Sequence, residues 1–415
     1  MGFSMAFVTS APRALVLALS NWFGAPRLPK ALERAGFHVT TFAFPGLLIH
    51  RARSVAETLL VEESASVDDL TQALLDAIER SRATVVIPTD DTGILLLHAA
   101  KAVAEAAGRP RAVLEALAVS LGEPRHFATV RSRKLMAALA TQAGVRQPEH
   151  VAVFTEQDAL GFAAKHGYPV VFKEEESVAG MGVSICKDEA ALNGALLRSR
   201  QNPAIFGAGL LAQAFVEGRT AMRVVVALRG RVLGGLSAIK LETWPRSTGP
   251  STCVEFIDHT EMAQTGQALI AALGYSGFAS LDFMLDARGR AHLIELNARP
   301  TPIAHLGERF GSCLFRHLRA GLLAEPSEAG DPRGLPSTVA LFPQEWVRDQ
   351  SSPHLHSGIF HDVPWDEPDL VEAYMLLGRG QMRFGLYQAA GRRNEALRAK
   401  LVELETSAAL GAKGQ

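Results

Sequence analysis

The stretch from Ser280 to Pro300, SLDFMLDARGRAHLIELNARP, leaves this chain few ways to fold around it. Residues 281–285 are strand formers, Asp286-Ala287-Arg288-Gly289 is a polar turn with its glycine, and residues 291–296 return as a second apolar strand. The pattern predicts a β-hairpin with one acid on each arm, Asp282 and Glu295. Side chains alternate across a strand, so Glu295 and Asn297 project to one side, and Arg299 follows if the extended run continues. Three oxygen-bearing side chains beside a cationic arginine suit a hard cation such as Mg²⁺ bridging phosphates. An ordinary solvated hairpin face would also accommodate these residues.

The pattern D-F…G…L-I-E-L-N-A-R-P resembles the C-terminal metal-binding segment of ATP-grasp ligases, and other segments of that family then belong upstream in a fixed order. Ser132-Arg133-Lys134 opens a helix that stops at Gly144. On composition alone Lys134 is a solvated residue at a helix start. The segment is similar to the family's "sDK" element, which implies that Lys134 reaches nucleotide phosphates. Tyr168-Pro169-Val170-Val171-Phe172-Lys173 is an apolar strand that delivers a lysine, followed by a small-residue loop carrying Ser177, Gly180 and Gly182. Such a loop lets backbone N–H groups approach phosphate oxygens, and the lysine adds a point charge. The same loop also fits a plain hairpin turn, and the acidic run Glu174-Glu175-Glu176 beside it would repel a triphosphate unless it faces solvent or an amine substrate.

Residues 210–218, LLAQAFVEG, resemble the family's hinge between two lobes. The resemblance implies that the backbone amides of the Ala214 to Val216 run read the adenine edge, with Phe215 lining an apolar slot. It also implies that Gln213 and Glu217 lie at the nucleotide. Many relatives carry Glu where this chain has Gln213, which leaves Glu217 as a candidate for the ribose hydroxyls. Lys240 and Arg246 fall in a region that often holds the acyl substrate or terminal phosphate; surface charges would read the same way.

The first third alternates strand and helix: strands at residues 14–19, 37–44 and 84–88, and helices at 26–35, 66–80 and 92–107. That alternation predicts a parallel sheet with helices on its faces. Ligands in such sheets sit at the carboxyl ends of strands, here Ser20-Asn21 and Asp90-Asp91, although the two acids serve equally well as helix N-caps. No G-x-G-x-x-G follows the first strand and no G-x-x-x-x-G-K-[ST] occurs, which disfavours a dinucleotide site and a P-loop.

With 415 residues, 48% hydrophobic and 20% charged, and a formal net charge of -1, the chain has material for two or three cores. Nothing in that balance recruits nucleic acid or an anionic membrane. The apolar run 14–19 is too short to span a bilayer, and Cys186, Cys253 and Cys313 lack metal or disulfide spacing. His354, His356 and His361 cluster without a further ligand at familiar zinc spacing. A cytoplasmic location is expected.

The fold expected is α/β and α+β: a parallel-sheet pre-ATP-grasp domain (1–118), then a two-subdomain ATP-grasp fold (119–330, clasping nucleotide between 130–212 and 213–330). A small C-terminal region (331–415) would follow, with short strands and an exposed charged terminal helix. The resemblance implies ATP and Mg²⁺, or Mn²⁺, as cofactors, with Asp282, Glu295 and Asn297 on the metal and Arg299 at the transferring phosphoryl group. It further implies small-molecule carboxylate and amine substrates joined with release of ADP and phosphate. A kinase or carboxylase on the same scaffold, or a nucleotide-binding protein without chemistry, are the alternatives. A homodimer is compatible with the sequence.

Overall fold

The computed structural model describes residues 11–175, 182–201, 209–246, 249–327, 337–356, 358–376 and 388–413. Strands β1 (Arg13–Ala18), β2 (His38–Ala43), β3 (Glu57–Leu60) and β4 (Val85–Pro88) form a parallel sheet in the order β3-β2-β1-β4. Strand β1 is buried on both faces: Val16 and Ala18 enter one core, Leu15 and Leu17 another. Its continuous apolar run follows from that double burial. Ser66 caps helix Val67–Ser81 by accepting the Asp69 N–H, and Asp90 caps helix Asp91–Ala106 by accepting from Gly93.

Four antiparallel strands come next, β5 (His150–Val153), β6 (Val170–Glu174), β7 (Val183–Cys186) and β8 (Leu210–Ala214), in the order β5-β8-β6-β7. Val170, Phe172, Cys186, Leu210 and Ala212 turn to one face and pack on helices Glu156–His166 and Glu189–Arg200. All members of this apolar core come from the lobe itself.

The third sheet has seven strands: β9 (Arg219–Leu228), β10 (Arg231–Thr243), β11 (Ser251–Ile257), β12 (Gly277–Leu285), β13 (Ala291–Asn297), β14 (Thr338–Ala340) and β15 (Phe360–His361). Their order is β13-β12-β9-β10-β11-β14-β15, antiparallel except for β14 with β15. Ala221, Val225, Ile239, Leu281 and Phe283 face helix Thr260–Leu273, which ends at Gly274 in the left-handed conformation. On the opposite face Val224, Val226 and Phe278 join Val16, Val39 and Ile87 of the first sheet in a single core. The first and third sheets are therefore fused by packing, while the four-stranded lobe keeps its own core.

The C-terminal residues divide between these bodies. β14 and β15 extend the large sheet, whereas helix Gln388–Lys413 returns to the first sheet. This corrects the expected exposed terminal helix: Leu397 and Leu401 are 0% and 3% exposed and belong to the core with Leu96, and Thr92 Oγ1 donates to Asn394 Oδ1 at 2.7 Å. The charges between them mask a leucine pair at i, i+4 spacing, the minimum stripe by which a helix docks. Among the described residues no helix is long and apolar enough to cross a membrane, and no group of three His, Cys, Asp or Glu could hold a metal ion. His361 meets Trp346 edge-on and His354 lies 3.9 Å from Glu242, so the expected histidine cluster makes separate contacts. Cys186, Cys253 and Cys313 are all free thiols.

Candidate active site

A cavity of about 320 Å³ lies between the four-stranded and seven-stranded sheets. Strand register decides which side chains reach it. On the small sheet Lys173 is paired with Val183 and Leu211, and Val171 with Ile185 and Gln213; cross-strand partners share a face, and these six line the cavity. On the large sheet Asp282 pairs with Met222 and Glu295, and Met284 with Thr220. All of these also line it, as does Lys240. A bulge follows Asp282, so the two acids face each other across the last regular pair before the hairpin is offset.

The acids hold cations. Lys240 Nζ is 2.7 Å from Asp282 Oδ1, and Arg133 Nη2 is 2.7 Å from Glu295 Oε1. Asn297 Nδ2 reaches Asp282 Oδ2 at 3.4 Å. Burial alone would raise the Glu295 carboxyl, but Arg133 and Lys173 outweigh it and hold the group below the usual carboxylate range. Lys173 is 4% exposed, and burial pushes its ammonium down to about 8. Its Nζ donates to the Ile294 carbonyl at 3.3 Å.

Arg299 lies deep in the cavity wall, 8% exposed, with Nε 2.9 Å from Asp91 Oδ1 and its guanidinium 4.8 Å from the Trp22 ring. The neighbouring acids at the head of helix Asp91–Ala106 divide the work: Asp90 caps the helix, and Asp91 holds the arginine. Trp22 and Asp91 both follow strands of the first sheet at their carboxyl ends, as the ligand rule for parallel sheets expects.

Sequence reasoning misses Arg133, whose guanidinium both pairs with Glu295 and donates to the backbone carbonyls of Glu174 and Glu175. Lys134 turns elsewhere, its Nζ 4.9 Å from the Phe154 ring centre, and is not part of the described cavity wall. One helical position, about 100°, separates the two side chains. The acidic run beside the loop also gains a role. Glu175 receives the Ser132 hydroxyl and, at 3.3 Å, the Lys134 N–H, so it neutralises the start of helix Arg133–Gln142.

Phe215 and Val216 line the cavity where β8 passes into β9; Glu217 is exposed and outside the described wall. Gly218 follows because a Cβ there would lie 1.9 Å from the Leu285 carbonyl oxygen. Gly182 is buried and its carbonyl accepts the Glu174 N–H at 2.9 Å, closing the β6–β7 turn. Ser177 and Gly180 lie outside the described residues. Arg246 is exposed and apart from the cavity wall, whereas Ser251, a few residues on, lines it. The structure thus gathers Lys173, Gln213, Phe215, Val216, Lys240, Asp282, Glu295, Asn297 and Arg299 at one cavity.

A family model described as "Carbamoyl-phosphate synthase L chain, ATP binding domain" matches residues 131–226. The D-alanine–D-alanine ligase of Geobacter sulfurreducens is 26% identical over 144 residues, covering 32% of this chain and 44% of that protein. The D-alanine–D-alanine ligase of Ectopseudomonas mendocina is 26% identical over 204 residues, covering 45% and 62%. The chain thus spans roughly half the length of these curated relatives. Among solved structures, the biotin carboxylase domain of the Hydrogenobacter thermophilus 2-oxoglutarate carboxylase, crystallised with MgADP, superposes with a TM-score of 0.59 at 16% identity, covering 78% of this chain and 72% of that one. An L-amino acid ligase from Bacillus licheniformis gives 0.53 at 19% identity, covering 76% and 75%.

Proposed function

The chain belongs to the ATP-grasp superfamily, and on that premise we propose that it is an ADP-forming carboxylate–amine ligase using Mg-ATP. The observation that carries this reading is the convergence of Lys173, Asp282, Glu295, Asn297 and Arg299 on a cavity walled by both lobes. Asp282, Glu295 and Asn297 supply the carboxylate and amide oxygens that Mg²⁺ or Mn²⁺ prefers, on adjacent strands and in register. Held by these residues, the ion would neutralise phosphate charge and make the γ-phosphorus more electrophilic.

In the proposed reaction a substrate carboxylate oxygen attacks the γ-phosphorus of ATP. The bond to the β-phosphate oxygen breaks, ADP leaves, and an acyl phosphate forms. An amine nitrogen then attacks the acyl carbon, phosphate departs with the C–O electron pair, and the nitrogen loses a proton to give an amide. Lys173 and Arg299 supply fixed positive charge where the phosphoryl group moves, and Lys240 and Arg133 keep the acids in place before the ion arrives. Val171, Ile185, Leu211, Met284 and Leu293 line an apolar slot for the base, beside the backbone of the Phe215–Val216 link. No side chain is required as a covalent nucleophile, since positioning and electrostatics carry the chemistry.

The test is ADP and phosphate release from Mg-ATP with pooled amino acids, with products followed by mass. The expected outcome is a product equal to two amino acids less water, and an Arg299→Ala variant that loses turnover far more than nucleotide binding. A phosphorylated product would replace this reading with a kinase. Nucleotide-dependent stabilisation without turnover for any acid would leave a binding protein.

A further inference from the structure

Resting on that ligase reading, we propose that helix Gln388–Lys413 forms part of the substrate site, and that Arg398 selects an amine substrate bearing its own carboxylate, an α-amino acid rather than a simple amine. Arg398 lines the cavity although it lies a hundred residues beyond the Asp282–Arg299 hairpin. Its position is fixed by the faces of its helix. Leu397 and Leu401 are buried in the first sheet's core, and Asn394, one turn before Arg398, takes the Thr92 hydroxyl at 2.7 Å. Thr92 directly follows Asp91, the partner of Arg299. Further along, Glu405 binds Arg131, another residue of the cavity wall. The helix is therefore anchored on both sides of Arg398, along one edge of the cavity.

The cavity carries the groups that a small zwitterion needs. Arg299 and Arg398 line it, Asp91 commits one oxygen to Arg299, and the Trp22 ring makes a flat wall over that arginine. Thr301, 9% exposed, also lines the cavity, and its Oγ1 is buried without a hydrogen-bond partner. Buried hydroxyls are ordinarily satisfied, so this oxygen points to a polar ligand group. The apolar residues from the two lobes suit the base, which leaves the arginines for the substrates. A guanidinium accepts a carboxylate through two parallel hydrogen bonds, a geometry that an uncharged amide cannot match.

The experiment compares the full chain with its Arg398→Ala and Arg398→Lys variants, in Mg²⁺ and a non-hydrolysable ATP analogue. Thermal stabilisation is read for a pool of free α-amino acids and for the pool of their α-amides. Expected is stabilisation by the acids at concentrations at least about tenfold below the amides, a preference lost in Arg398→Ala and partly kept in Arg398→Lys, with nucleotide affinity unchanged in all three. Equal response to acids and amides, or the same preference in Arg398→Ala as in the parent chain, overturns the proposal. ADP release is measured in parallel with the free acids alone and with the acids plus the amides, since only a carboxylate can be phosphorylated, and it separates the two readings. Amide-bond formation between free acids that is undiminished in Arg398→Ala overturns this assignment and leaves the ligase standing. Carboxylate-dependent binding lost in Arg398→Ala, but without ADP release, supports the arginine's role and sinks the ligase.

Discussion

Lys173 carries the sharpest consequence at the scale of one residue. Its ammonium is buried, and its pKa falls to about 8, far below an ordinary lysine. On the proposed function a bound triphosphate would favour the charged form, so in complex the pKa would rise. Above pH 8 nucleotide binding must then take up a proton, and Mg-ATP affinity should weaken by up to about tenfold per pH unit until the complex itself titrates. Calorimetry in buffers of different ionisation heat reads that uptake directly. The Lys173→Arg variant keeps its charge across this range and should abolish the buffer dependence; identical heats in the parent chain would remove the lysine from the phosphate site. Part of this site was legible in the sequence: strand parity put Glu295 and Asn297 on one side, and an apolar run delivered Lys173 near the end of its strand, whereas the pairing of Asp282 with Glu295 depends on the bulge after Asp282. The sequence did not reveal Arg133 in place of Lys134, since one step around a helix start reverses which side chain turns inward. Nor could it pair Asp91 with Arg299, 208 positions apart. Such contacts are made by tertiary packing and leave no local pattern.

Among the elements, the terminal helix shows how a charge-rich sequence can conceal a docking face. Arg393, Glu395, Arg398, Lys400 and Glu403 dominate its composition, yet Leu397 and Leu401 are both core residues. Leu397→Ala should cost about 2–5 kcal/mol, the usual range for a leucine fully removed from a packed interior. Denaturant unfolding of the full chain measures it, and a loss below ~1 kcal/mol would mean the helix is only loosely docked. The strands were easier to read where both faces are buried, as in β1. Strand β3, with Leu60 62% exposed at the sheet edge, has no continuous apolar run to announce it. The turn of hairpin β12–β13 was legible because it carries Asp286 and Gly289, and Asp286 accepts the backbone N–H groups of Arg288 and Arg290, whereas β12 begins at Gly277, before the expected Leu281.

Across the whole molecule, the division of cores predicts where motion is easiest. The first and third sheets share apolar side chains, whereas polar contacts tie the four-stranded lobe to its surroundings: Arg133 with the carbonyls of Glu174 and Glu175, Ser132 with Glu175, Lys173 with the Ile294 carbonyl. Hydrogen bonds exchange with water at little net cost, so the lobe can part from the large sheet without exposing a hydrophobic interior. Amide hydrogen exchange should be faster along residues 150–175 and 209–214 than along β9 and β12, and Mg-nucleotide should slow it mainly in the lobe. Uniform protection with and without nucleotide would show a clasp already rigid.

The close approach of Gly218 to Leu285 gives this motion its mechanics. Where the chain leaves the lobe, backbone lies against backbone with no room for even a methyl group. Such a contact is a fulcrum, not a slack tether: it resists sliding but leaves rotation available. A lobe turning about that point would rotate and not slide, and Lys173 would keep a fixed distance from the pivot on every closure.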